Sequence, residues 1–168
     1  MVLALLGCAT FAKATPAKIA EPKVVEIEKK TETNEAKRLT TEAFELYRAG
    51  KAEKSLPLFL KALNIRREQQ GEKHPETLKS LHRYATALVA AGRGSEAEKL
   101  FVKALKLKRK VLGPKHRDTI AGIGNLAATI EENGRAEEAE PLHAEALQLR
   151  KESTTQRRNK DWKEWKWK

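Results

Sequence analysis

Catalysis by side chains needs a nucleophile beside a base, or a cluster of metal ligands, and this chain of 168 residues is thin in both. It has four histidines, His74, His82, His116 and His143, and one cysteine, Cys8. A single cysteine allows no internal disulfide and no cysteine-based metal site. No glycine-rich phosphate loop and no His-Glu-x-x-His occurs. His74 and His116 stand in matching contexts, Gly71-Glu-Lys-His74-Pro-Glu-Thr77 and Gly113-Pro-Lys-His116-Arg-Asp-Thr119. Histidines that recur at equivalent positions read as caps or packing residues rather than ligands. The expectation is therefore no enzyme, no cofactor and no metal.

Charge offers more. The chain carries a formal +11, unevenly spread: +1 over residues 1–33, +6 over 34–152 and +4 over 153–168. Within the middle part, residues 77–118 are +8 and 119–152 are −4. Lys99, Lys103, Lys106 and Lys110 follow one another at helical spacing and make a basic stripe. Such a stripe reads first as a solvated face that pairs with Glu138, Glu145 and Glu152 of the following unit, and second as a binding patch. Basic composition alone does not select nucleic acid, which is not the expected partner.

The two ends have their own chemistry. Leu5, Leu6 and Gly7 before Cys8 resemble the end of a bacterial lipoprotein signal, which makes Cys8 a lipidation candidate. The apolar run is short, however, and lacks a basic start, so an untidy apolar N-terminus over residues 1–12 is the competing reading. The cell envelope through a lipid anchor and the cytoplasm both stay open. At the other end, Trp162-Lys-Glu-Trp165-Lys-Trp167-Lys168 holds every tryptophan. This basic tail, 153–168, reads as a cap over the last helices, as an unstructured end, or as a membrane contact.

The elements that position these residues come from a repeat. Gly50, Gly92 and Gly134 are 42 residues apart, and so are Ala43, Ala85 and Ala127, and Leu58, Leu100 and Leu142. Within each unit the apolar spacing is helical, as in Leu78, Leu81, Ala85 and Leu88. Glycines that can turn left-handed end the first helix of each unit. The spacing predicts helices over 35–49, 53–70, 76–91, 95–112, 118–133 and 137–152, in three units: 34–75, 76–117 and 118–152. Residues 13–33, with Pro16 and Pro22 and few large apolar side chains, read as a flexible tether. The fold class is all-α.

The alternation of small and large positions resembles the tetratricopeptide repeat. The 42-residue period, the Gly-x-x-His-Pro-x-Thr connector, Glu137-Glu-Ala-Glu-Pro-Leu142 and Ile123-Gly-Asn-Leu-Ala127 look like the subclass of the kinesin light chains and related bacterial repeat proteins. The resemblance implies a right-handed superhelical solenoid of three antiparallel helix pairs. It also implies a protein-interaction scaffold with a concave groove lined by first helices. Thr40-Thr-Glu42 and His82-Arg-Tyr84 depart from the Asn-Leu pattern, so asparagine-based recognition rests on Asn125.

Aligning the repeats places Lys37, Thr40, Phe44, Tyr47 and Arg48, then Lys79, His82, Arg83 and Thr86, then Asn125, Glu131 and Glu132 on that groove. It would run from basic and aromatic to acidic, suiting an extended acidic-apolar segment of a partner protein. The alternative is a membrane-associated structural or assembly factor, held by lipid on Cys8 or by the Trp/Lys tail. Three repeats are about the minimum for a stable stack, so open ends invite head-to-tail association.

Overall fold

In the computed structural model the backbone is described for residues 21–165 and the side chains for residues 34–155. Six helices follow in order: α1 Glu21–Arg48, α2 Ala52–Gln70, α3 Pro75–Ala90, α4 Gly94–Leu112, α5 Arg117–Glu132 and α6 Ala136–Trp165. Each packs chiefly on its neighbours in the chain, α1 on α2, α2 on α3, and so on to α6. The result is a solenoid of three helix pairs, with one apolar core that runs along the stack from Ala43 to Ala146.

Boundaries fall where local chemistry puts them. After α1, α3 and α5 the backbone turns left-handed at Gly50, Gly92 and Gly134, with φ of 72°, 75° and 83°. Gly50 N–H donates to Tyr47 O and Lys51 N–H to Leu46 O, at 3.0 and 2.9 Å; the same pair recurs at Gly92 and Arg93 and at Gly134 and Arg135. Three carbonyl ends are closed by one motif, used three times. The N-terminal ends of α3 and α5 are capped by the connector histidines. His74 Nδ1 accepts from Glu76 N–H at 3.2 Å, and His116 Nδ1 from Asp118 N–H at 3.1 Å. Pro75 occupies the first turn of α3, where a missing N–H costs least.

The small residues mark the closest crossings. Ala43, Ala85 and Ala127 are fully buried in first helices, and Ala97 and Ala104 are buried in α4. Phe59 and Phe101 fill the space beside them. At the third equivalent place stands His143, exposed and paired with Glu131 at 3.3 Å.

Two expectations change at the ends. The tether over 13–33 is helical from Glu21, so α1 begins well before residue 35. Lys and Glu lose little rotamer freedom in a helix, and the run from Glu21 to Thr33 is rich in both; low apolar content argues against burial, not against helix. The tail likewise continues α6 without a break to Trp165. An unstructured end does not describe residues 153–165, and a continuous helix of 30 residues cannot fold back as a cap over its own outer side. Cys8 and the rest of residues 1–20 lie outside the described residues, as do residues 166–168. Among the described residues no helix is long and apolar enough to cross a membrane.

Gly92 meets open space but holds a conformation that L side chains adopt at a cost. Gly92→Ala should lower stability by about 1 kcal/mol, and Gly92→Asn by less, since Asn tolerates the left-handed region. Urea unfolding followed by circular dichroism measures both, and equal midpoints for wild type and Gly92→Ala would refute the cap.

Candidate functional site

First helices from all three repeats converge on one depression of about 370 Å³. Its walls are Tyr47 from α1, Thr86, Val89 and Ala90 from α3, and Asn125, Ala128, Thr129 and Glu132 from α5, with Phe101 of α4 at its base. Four of the expected groove residues, Tyr47, Thr86, Asn125 and Glu132, are therefore brought together. Val89, Ala90, Phe101, Ala128 and Thr129 are additions. The first, second and fourth of these stand at repeat positions equivalent to Tyr47, Arg48 and Phe44, a signal that the sequence does contain. Phe101 belongs to a second helix, and its reach toward the groove depends on packing.

Other expected residues sit around this centre. Phe44 is half-buried, with its ring edge-on to Phe59 at 5.2 Å and the Arg83 guanidinium 5.5 Å over its face. Arg83 is thereby steered toward the repeat-one end. Lys37 and Arg48 are exposed on α1. Lys79 is held by Glu76 at 2.7 Å, and Glu131 by His143. Thr40 is a correction. It is buried, its hydroxyl donates to Ala36 O at 2.6 Å and accepts from Arg66 Nη1 at 3.0 Å, so it belongs to the packing of α1 against α2.

That contact is part of a polar layer under the groove. Arg66 on α2 is buried and also donates to Ser80 Oγ on α3 at 2.7 Å. One repeat later Lys108 takes the equivalent place on α4, buried beside Gly122, with His82 where Thr40 was. Burial holds the Lys108 ammonium below the ordinary lysine range, and the Asp118 carboxylate partly offsets this. His82 is more lining than surface. Its ring lies edge-on to Phe101 at 5.2 Å, and its Nε2 is 2.8 Å from Asn125 Nδ2. An amide nitrogen only donates, so Nε2 accepts and the ring proton sits on Nδ1, which is buried without a hydrogen-bond partner. Asn125 is thus oriented from below by His82.

The basic stripe does not pair forward with Glu145 and Glu152 as the first reading expects. Lys103 pairs backward with Glu72 at 2.6 Å, while Glu145 is taken by Arg109 at 2.7 Å and Glu152 by Lys115 at 2.9 Å. Lys106 and Lys110 instead edge a second depression of about 700 Å³ between α4 and α6, floored by Leu105, Leu126 and Leu142. Among the described residues no group of three or more His, Cys, Asp or Glu is placed to hold a metal ion.

His82 gives the site a pH dependence. Burial, and then Lys108, push its pKa down to about 4 from an ordinary 6.5, with Arg83 in the same direction and Asp118 against. The folded ring stays neutral where the unfolded chain binds a proton. Stability from this residue is therefore complete above about pH 6.5 and falls as pH drops toward 4, on the order of 3 kcal/mol in all. Urea midpoints between pH 7 and pH 5 isolate it, because the lowered carboxylates such as Glu72 and Glu76 act below their ordinary 4.5. His82→Thr, copying repeat one, should flatten that slope; an unchanged slope would assign it to other groups.

The arrangement matches known proteins in fold and sequence. The tetratricopeptide repeat family profile matches residues 39–110 and 79–152. No curated protein matches. Among solved structures, the chain is similar to the nearly identical TPR-like repeats assigned to a kinesin light chain of Podosopora anserina. The TM-score is 0.66 at 25% identity, over 80% of this chain and 65% of that one. BtubC (BKLC) from P. vanneervenii has a TM-score of 0.65 at 19% identity, covering 70% of this chain and 46% of its own. The TPR domain of Arabidopsis FLU has 0.61 at 17%, covering 69% and 94%. This chain thus spans just under two thirds of the length of the Podosopora structure. Tetratricopeptide repeats mediate protein–protein interaction, and no catalytic family is indicated. With matches across all three helix pairs and the 42-residue period, the chain belongs to the tetratricopeptide repeat family, in its kinesin-light-chain-like form.

Proposed function

We propose that the protein is a non-catalytic scaffold that holds an extended acidic-apolar segment of a partner protein in the groove of its first helices. The observation that carries this reading is the convergence of Tyr47, Thr86, Asn125 and Glu132, from three different repeats, on one depression with an apolar floor. A side chain of the ligand can rest against Val89, Ala128 and the Tyr47 ring. The ligand backbone can meet Asn125, which both donates and accepts, and the hydroxyl of Thr86.

Electrostatics give the segment a direction. Arg48, Lys37 and the stacked Arg83 lie toward repeat one, and Glu131 and Glu132 toward repeat three. A ligand with its carboxylates at the repeat-one end is attracted there and avoids the acidic end. Thr40 plays no part in this, because it is committed to Arg66.

Fluorescence anisotropy with extended peptides carrying a central leucine or phenylalanine and flanking aspartates tests the proposal. Tyr47→Ala and Arg83→Ala should each weaken binding by on the order of 1 kcal/mol or more, as truncated Tyr and Arg anchors often do, and affinity should fall as salt rises. If binding survives both changes but is lost with Lys106→Glu and Lys110→Glu together, recognition belongs to the depression between α4 and α6.

A further inference from the structure

The three second helices occupy equivalent places, so the side that each offers to the next repeat can be compared residue by residue. Leu63 on α2 is 2% exposed and Leu105 on α4 is 6% exposed, but Leu147 at the same place on α6 is 53% exposed. Arg66 and Lys108 are buried, whereas Arg150 is exposed. Glu98 on α4 accepts from Asn133 at 3.0 Å and pairs with Arg135, while Glu140 in the same register is exposed. The cause is common to all three: α3 lies on α2 and α5 lies on α4, and among the described residues no helix lies on the far side of α6.

The opposite end of the stack is finished in another way. Where α3 and α5 bury Thr77 and Ser80, or Thr119 and Gly122, against the preceding helix, α1 carries Glu35 and Arg38. Glu42 stands in the place of Tyr84 and Leu126. Arg38 is 69% exposed and paired with Glu42 at 3.9 Å, so this face is a solvated polar end of the kind that terminal repeats use. α6 has kept core-type residues instead.

We propose that the outer face of α6 is a docking surface for one amphipathic helix of a partner protein, seated as α3 sits on α2 and α5 on α4. The two internal interfaces specify the occupant. Opposite Arg150 it carries a hydroxyl or carboxylate acceptor, as Ser80 Oγ accepts from Arg66 at 2.7 Å. The next residue is a large aliphatic one over Leu147, as Leu81 packs with Leu63, and an aromatic or aliphatic residue follows three further on, as Tyr84 does. Toward its C-terminal end it offers an amide or guanidinium donor to Glu140, as Asn133 and Arg135 do to Glu98. Without such an acceptor a buried Arg150 would be left unpaired, which selects against merely apolar helices.

A second copy of this chain does not meet that description. Head-to-tail stacking would set Arg38 against Arg150 and put Glu35 and Glu42 where Thr and Tyr or Leu are required. The expectation of head-to-tail association from open ends therefore fails at the α1 face, on charge.

The probe is a fluorescent peptide of residues 74–93, which carries Arg93 in the place of Arg135, held helical by a staple between positions 79 and 83 and titrated against the full chain. Saturable binding is expected, weakened at least tenfold by Leu147→Glu and by Arg150→Glu, and unchanged by Tyr47→Ala in the groove. A peptide carrying Ser80→Arg should likewise bind at least tenfold more weakly. Because Leu147 and Arg150 are exposed, the thermal melts of both protein variants should match wild type, which separates lost docking from lost folding. Absence of saturable binding, or binding indifferent to Leu147→Glu and Arg150→Glu, overturns the proposal. So does sedimentation showing that the chain alone dimerises and that Leu147→Glu makes it monomeric, which would give the face to a second copy.

Discussion

Among the described residues each inner helix, α2 to α5, packs chiefly against the helix before it and the helix after it, while α1 and α6 have one such neighbour each. That single constraint organises the molecule. It requires small residues at the crossings, hence Ala43, Ala85 and Ala127, and turns that return the chain without drift, hence the left-handed glycines. It also spreads stability along the stack, as a sum of units and of interfaces between units. The groove is a by-product of the same geometry: first helices set side by side leave a furrow, lined in part by residues such as Tyr47, Val89 and Phe101 that also pack against the core.

The polar layer beneath the furrow shows how packing and recognition are joined. Arg66 holds Thr40 and Ser80, and so fastens α1, α2 and α3 at one point. One repeat on, Lys108 and His82 occupy the same places with less satisfaction, and His82 reaches forward to Asn125 on α5. The asparagine that faces the groove is thus positioned by a histidine kept neutral by burial. The ligand contact proposed for Asn125 and the acid sensitivity expected of the fold share this one imidazole.

Much of this was legible before any coordinates, because repetition supplies its own alignment. Inner helix ends came within a residue or so of the 42-residue pattern, since each is fixed by a glycine or by a connector histidine. Of the residues expected on the first-helix face, Tyr47, Thr86, Asn125 and Glu132 line one depression, as their register implies. Thr40 was misread because register places a residue on a side of its own helix but does not reveal a long side chain, here Arg66, that reaches it from the next one. His82 is drawn partly inward for a similar reason, its partners coming from α4 and α5. The outer ends of α1 and α6 were not legible, since a repeat alignment has no opinion beyond its last unit.

The nearest-neighbour account is tested most directly by native-state hydrogen exchange of the full chain, residue by residue. Opening in such a stack proceeds from its ends, so amides of α3 and α4, covered on both sides, should exchange slowest. Those of α6 beyond Glu145 should exchange at least tenfold faster than the equivalent amides of α4. Equal protection in α4 and α6, or slowest exchange in α6, would contradict the claim that each helix is held chiefly by its immediate neighbours.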